Sequence, residues 1–236
     1  MHEIAIPQRV VDSVVARRGT AHPFADLDPS KTALIVVDLQ NGFMMDGVAH
    51  ALCTMAREIV PNVNKLASAV RATGGQVFWI QNTHDESCLE SWSNLHAMTL
   101  PEKTAKRVES MSEGTVGHDL WADLDVKLND TKVFKYRYSA FLPGYSDLPD
   151  ILRARGLDTV LITGTVTNVC CESSARDAMM MNFKTIMVTD GNAANTDEEH
   201  NSSLVNFYLT FGDIMSTEEV IDCLNKNAAG ARSAAE

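Results

Sequence analysis

The run Thr159-Val-Leu-Ile-Thr163, continuing into Gly164-Thr-Val-Thr-Asn-Val-Cys170-Cys171-Glu-Ser-Ser-Ala-Arg-Asp-Ala178, decides the fold class. A short apolar run without polar alternation reads as a strand buried on both faces, and here it passes into helical periodicity. Thr167 or Asn168 can serve as N-cap, which sets Cys170 in the first helical turn. Unpaired N–H groups and the helix dipole favour an anion there, and so a thiolate. Cys171, Ala175, Ala178 and Met179 recur at i, i+4, i+7 and i+8 as one apolar stripe, so Cys171 reads as core. Cys170 lies about 100° away around the helix, beside Ser174 and Asp177, and is the candidate nucleophile. The plain alternative is that both thiols are small buried hydrophobes, as free cysteines usually are.

The same rhythm extends in both directions. Upstream come Ala33-Leu-Ile-Val-Val37, a helix over Val60 to Thr73, Gln76-Val-Phe-Trp-Ile80, Lys132-Val-Phe134 and a helix over Asp147 to Arg155. Downstream of a helix over Asn168 to Met181 come Lys184-Thr-Ile-Met-Val188, a helix over Glu198 to Leu209, Asp213-Ile-Met215 and a helix over Thr217 to Asn225. Strands alternating with helices, joined by right-handed crossovers, predict an α/β three-layer sandwich with a central, mostly parallel, doubly wound sheet. Residues 1–30 read as an arm with a short helical pattern at Val10-Val11 and Val14-Val15, residues 31–226 as the domain, and the alanine-rich residues 227–236 as a fraying tail. Residues 83–130 break the rhythm with His84, Trp92, His96, Met98, Met111, His118 and Trp121 in no clear period. An insertion of this size covers a substrate, makes a subunit contact or merely decorates the surface; a homo-oligomer, dimer or tetramer, is the expectation.

Composition narrows the partners. A net charge of −11 with no Lys/Arg run argues against nucleic acid and anionic lipid and for a small-molecule substrate. No apolar run reaches the roughly 18 residues of a membrane span, and the start Met1-His-Glu-Ile lacks the character of a signal peptide, so a cytoplasmic protein is expected. The 5 cysteines include no CxxC pair and read as free thiols.

A nucleophile needs a base, and in such sheets chemistry gathers at the carboxyl ends of the strands. Asp38 follows Leu34-Ile-Val-Val37, in a partly apolar setting that raises a carboxyl toward useful basicity. Lys135 follows Lys132-Val-Phe134 and brings a cation to the same edge. Taken singly, Asp38 is an ordinary turn former and Lys135 a solvated strand end; together with Cys170 they form a constellation of complementary chemistry.

Asp38-Leu-Gln-Asn-Gly-Phe43, Lys135 with Tyr138-Ser-Ala-Phe141, and Gly164 to Cys170 with Ala175-Arg-Asp-Ala178 resemble the isochorismatase-like cysteine hydrolases, over roughly Pro29 to Leu224. The resemblance implies an Asp38–Lys135–Cys170 triad on the sandwich already read from periodicity. It further implies a cis peptide between Val166 and Thr167, aiming backbone N–H groups, that of Cys170 included, at an oxyanion. Retention of the cysteine implies the amide-cleaving branch rather than vinyl-ether hydrolysis. The stretch Asn82-Thr-His84-Asp-Glu-Ser87 departs from the Asp-x-His metal motif of nicotinamidases, since Asn82 replaces the aspartate and position 88 is cysteine, so no metal and no cofactor are expected.

Within that branch, Ile80-Gln-Asn82, Arg137-Tyr-Ser139 and Thr167 to Ser173 most resemble the ureidoacrylate and N-carbamoyl amidohydrolases. Asn82 is then the candidate partner of a ureido group, Tyr138 of a carboxylate, and Phe43 a wall of the substrate cavity; each has a packing or backbone-satisfying alternative. Glu172 and Arg176, at i and i+4, read as a helix-surface ion pair. Two other readings stay open: a vinyl-ether or ester hydrolase that uses Asp38 and Lys135 with Cys170 as spectator, and a non-catalytic binding protein on the same fold.

Overall fold

Every residue of the first strand is buried, and its side chains divide between two cores. Ala33, Ile35 and Val37 pack into one cluster and Leu34 and Val36 into the other, the two-residue period of a strand covered on both faces. In this computed structural model, which describes the backbone through Ala235 and side chains through Gly230, the strands are β1 (Thr32–Val37), β2 (Gln76–Asn82), β3 (Thr131–Lys135), β4 (Thr159–Thr165), β5 (Lys184–Ala193) and β6 (Asp213–Met215). They form one 6-stranded sheet in the order β3-β2-β1-β4-β5-β6. All neighbours are parallel.

The helices are α1 (Gln8–Arg18), α2 (Asn41–Met44), α3 (Met55–Glu58), α4 (Val60–Ala72), α5 (Ser87–Ser91), α6 (Ser93–Ala97), α7 (Pro101–Met111), α8 (Leu148–Ala154), α9 (Glu172–Met180), α10 (Asp197–Thr210) and α11 (Thr217–Ala235). One face of the sheet is covered by α1, α8, α9 and α10 through residues such as Val14, Leu152, Ala175 and Phe207. The other carries α4 and α11 through Val63, Leu66, Val70, Val220 and Leu224, with Phe43 and Met111 at its edge. This is the expected three-layer sandwich. Successive strands are added toward one edge from β1 to β3 and toward the other from β4 to β6, so the order reverses between β1 and β4, the switch point where ligands bind in such sheets.

The structure alters three expectations at the margins. The N-terminal arm docks: Val10 and Val14 join the core, Arg18 donates to the Gly212 carbonyl at 2.7 Å, and Tyr208 Oη donates to the Ala21 carbonyl at 2.7 Å. Residues 227–235 continue α11 as a helix instead of forming a tail, in keeping with the helix propensity of alanine, and Asn227 donates to the carbonyls of Ala25 and Leu27; Glu236 lies outside the described residues. Residues 83–130 contain α5, α6 and α7, the last starting with proline in its first turn, the position proline favours.

Candidate active site

Three strand ends converge. Gly164 lets β4 run hard against β1: its φ is +120°, and a Cβ there would stand 2.0 Å from the Val37 carbonyl oxygen. Only glycine fits such an approach. One residue past β1 the chain turns through Asp38, whose φ of 56° is left-handed, a conformation that aspartate tolerates better than most residues. Lys135 ends β3 opposite Asn82 at the end of β2.

These geometries bring the predicted acid and cation together. Lys135 Nζ stands 2.8 Å from Asp38 Oδ2, with both side chains fully buried, and it also donates to the Arg137 carbonyl at 3.0 Å. The ion pair is not a regularly angled hydrogen bond, and neither Asp38 oxygen accepts one. Burial raises the Asp38 carboxyl above its ordinary range, against the pull of Lys135. For Lys135, burial works toward neutrality, but the charge of Asp38 beside it leads the opposing effects, and its pKa is raised above the ordinary lysine value.

Cys170 completes the group from β4, and the side chains of Asp38 and Lys135 are its immediate neighbours. The helical run begins at Thr167 with Val166, not Thr167 or Asn168, in the N-cap position. Its first turn is wide: the Cys171 N–H bonds back five residues to the Val166 carbonyl at 3.3 Å, a π-type turn of the kind that recurs at functional sites. The cis peptide lies between Thr165 and Val166, one bond ahead of the expected Val166–Thr167 position. The reason is register: β4 keeps its ladder through Thr165, which pairs with Ala193, so the chain leaves the sheet directly after Thr165.

Burial also reverses the expectation of a ready thiolate. Removal from water, followed by the negative field of Asp38, pushes the Cys170 thiol up to about 12, and this outweighs the pull of Lys135. The resting site is therefore a neutral thiol beside a carboxylate–ammonium pair.

Cys170 is 3% exposed and opens into a cavity of about 170 Å3, while Cys171 is sealed in the core, as its helical position predicted. The stripe is imperfect, because Met179 is 39% exposed; on the other side Ser174 is fully buried, donating to the Cys170 carbonyl and accepting from the Ala140 N–H. Glu172 and Arg176 form the expected i, i+4 ion pair, and Ser203 donates to the same carboxylate.

Phe43, Asn82, Tyr138 and Val166 all line this cavity with Cys170. Thr167 does not: its hydroxyl is spent on His200 Nδ1 at 2.8 Å, and His200 donates from Nε2 to the Thr189 carbonyl. The Asp38 to Phe43 motif builds the wall. Gln40 accepts the Asn82 N–H at 2.8 Å and donates to the carbonyls of Asn82 and His118, fixing the end of β2. The insertion adds His84, Trp92, Leu95 and Arg107 to the lining, His50 and Ala51 come from the loop after α2, and Val169 from the turn before Cys170. Trp92 is held by Tyr138, edge-on with ring centres 4.8 Å apart, and by the Arg137 guanidinium, which also covers Tyr145 at 3.7 Å. His50, Trp92, Leu95 and Arg107 were not singled out as cavity residues from the sequence. A larger groove of about 650 Å3 lies along β3 near His118, Lys132 and Tyr145, but its lining holds no cysteine and no serine paired to a histidine.

His84 meets His96 with their Nε2 atoms 3.3 Å apart, and His96 also faces the Cys88 carbonyl. Among the described residues there is no group of three side chains able to hold a metal. The donor set therefore does not fit a resident cation, since two imidazoles without a carboxylate fall short of the three or four protein ligands such a site needs. No helix among the described residues is long and apolar enough to cross a membrane.

Known proteins resemble this chain in sequence and fold. The chain is 32% identical over 176 residues to the ureidoacrylate amidohydrolase RutB of Agrobacterium fabrum, covering 70% of this chain and 76% of that one. A cysteine hydrolase from Pseudomonas syringae pv. phaseolicola superposes with a TM-score of 0.76 at 27% identity, over 86% of this chain and 96% of its own. N-carbamoylsarcosine amidase from Thermoplasma acidophilum does so with a TM-score of 0.62 at 25% identity, over 80% and 97%. The isochorismatase domain pattern itself matches residues 32–219, a span that takes in all six strands and both ends of the candidate triad. This chain belongs to the isochorismatase family of hydrolases.

Proposed function

We propose that this protein hydrolyses a C–N amide or ureido bond of a small molecule through a thioester on Cys170. The observation that carries the reading is the buried Asp38–Lys135 pair beside a thiol that alone of the three opens into the cavity. The similarity to a ureidoacrylate amidohydrolase and an N-carbamoylsarcosine amidase supports amide-type substrates.

In this mechanism Asp38 takes the thiol proton as sulfur attacks the carbonyl carbon, so negative charge passes from the carboxylate to the substrate oxygen without a free thiolate accumulating. The raised carboxyl is matched to this exchange, since its basicity lies closer to the thiol than that of an ordinary aspartate. Lys135 remains charged and balances the anion as it forms. Backbone N–H groups at the Val166–Cys170 turn are the proposed oxyanion donors. The C–N bond then breaks as Asp38 returns its proton to the leaving nitrogen. Water, deprotonated by Asp38, attacks the thioester; the acid departs and the proton restores the Cys170 thiol. Asn82 contacts the ureido end of the substrate, and Phe43, Trp92 and Tyr138 pack its body.

The test is ammonia release across ureido acids, N-carbamoyl amino acids and primary amides, with intact-mass detection of an acyl adduct on Cys170. Turnover without an adduct, and insensitive to iodoacetamide, overturns the thioester.

A further inference from the structure

One cation in the cavity has a buried donor without a hydrogen-bond partner among the described residues. Arg107, on α7, lines the cavity beside Cys170, and its Nη1 is buried without a hydrogen-bond partner. Among the described residues Arg107 forms no ion pair, although the chain carries a net charge of −11. The neighbouring arginine shows the alternative: Arg137 is fully engaged by the carbonyls of Tyr136 and Ser91 and by two aromatic faces. A second group in the same cavity is also unpartnered, since His50 Nδ1 is buried with no hydrogen bond while its ring packs edge-on against Phe43. Burying an unpaired donor costs roughly 1–3 kcal/mol, and more when it is charged, so such groups are retained where a ligand completes them.

We propose that Arg107, assisted by His50, binds a carboxylate on the substrate, so that the enzyme selects small anionic amides or ureido acids. The proposal rests on the cavity being the substrate site. Guanidinium geometry fits a carboxylate through two parallel N–H bonds, which gives orientation as well as attraction. The field of Arg107 contributes to holding His50 and His84 well below the usual imidazole range, at about 3 and about 4, with burial the larger cause in each; both rings are neutral at pH 7 and leave Arg107 as the cavity's permanent charge. A volume of about 170 Å3 admits only a small molecule, below the roughly 300 Å3 at the lower end of common ligand pockets. Tyr138, assigned above from the sequence as the carboxylate partner, then becomes a wall that holds Trp92.

Iodoacetate and iodoacetamide test this without knowledge of the substrate, because they differ in charge and little in size. Peptide mass spectrometry follows the rate at Cys170 in wild type, Arg107→Met and Arg107→Lys. Arg107→Met is expected to slow iodoacetate at least tenfold while iodoacetamide stays within twofold, and Arg107→Lys to recover most of the loss. Equal effects on the two reagents, or no effect on either, overturn the subsite. If neither reagent modifies wild-type Cys170, the nucleophile reading falls, and calorimetric binding of 3-ureidopropionate and of uncharged propylurea decides the subsite: it stands if the acid alone binds and loses at least tenfold in Arg107→Met, and falls otherwise. Where ammonia release is found, the Met variant should raise KM for ureido acids with kcat within threefold. A charge preference without amide cleavage would retain the subsite and sink the amidohydrolase reading.

Discussion

Lys135 Nζ lies 2.8 Å from Asp38 Oδ2 with both side chains wholly out of solvent, and that contact joins β3 to the turn after β1 across the intervening β2. Removing either partner strands the other charge, which for a buried pair costs about 3–5 kcal/mol. The pair is thus a structural commitment as well as a chemical one. Its disposition governs the thiol.

Because the Cys170 thiol is pushed up to about 12, its alkylation rate should climb steadily from pH 7 to pH 10 without the plateau of an ordinary thiol near 9. Asp38→Asn removes a negative neighbour and should shift the profile to lower pH; Lys135→Met removes the positive one and should shift it higher. Both variants should lose at least a hundredfold in turnover. The measurement is peptide-resolved alkylation against pH, and identical profiles in all three proteins would mean these side chains do not act on the thiol.

The paired cysteines should separate cleanly. Cys170→Ala is expected to abolish turnover with little change in melting temperature. Cys171→Ala should retain most activity but lose about 1 kcal/mol of stability, because it empties volume in a fully buried site. Denaturant titration and ammonia release on the same preparations check both halves.

Gly164→Ala should be among the most damaging single substitutions. The added methyl would meet the Val37 carbonyl at 2.0 Å at the carboxyl end of the β1–β4 ladder and would sit at a φ of +120°. A loss of about 3 kcal/mol or more is expected, read as a lower urea midpoint. A variant of wild-type stability would show that the two strands can part at no cost.

Stability should fall as the pH drops from about 6.5 toward 4. His200 is buried and neutral, hydrogen-bonded to Thr167 and Thr189, and its pKa is lowered to about 4, by burial first and then by His2. The unfolded chain takes up this proton near the ordinary value of about 6.5 and the native state does not, so falling pH favours unfolding across that window. The contribution is on the order of 3 kcal/mol by pH 4. Urea midpoints between pH 7 and pH 4 report it, and His200→Asn should flatten the slope.

Turnover should survive prolonged chelation, since His84 and His96 lack a third metal-ligating partner among the described residues. Loss of activity that zinc, manganese or iron restores would refute this.

What the sequence determined by itself is whatever depends on chain-local pattern. Runs such as Ala33 to Val37 and Thr159 to Thr163 announce buried parallel strands, and the residues directly after them, Asp38, Lys135 and the turn leading to Cys170, must emerge at one edge because parallel strands share a direction. Helical spacing likewise separated Cys170 from Cys171, since both lie on one continuous run. Tertiary structure decided what depends on distant neighbours. Arg107 lies in the 83–130 stretch, whose lack of a clear period singled out no arginine, and only the folding of α7 over the switch point brings it to the cavity. Helix-start arguments predicted an easily ionised thiol; desolvation, which comes from atoms far along the chain, outweighs the helix terminus and reverses the direction. Residues 1–30 read as an arm and 227–236 as a fraying tail because each is short and weakly patterned alone. Their order comes from contacts with each other and with α10, through Tyr208 and Asn227, which no local window contains.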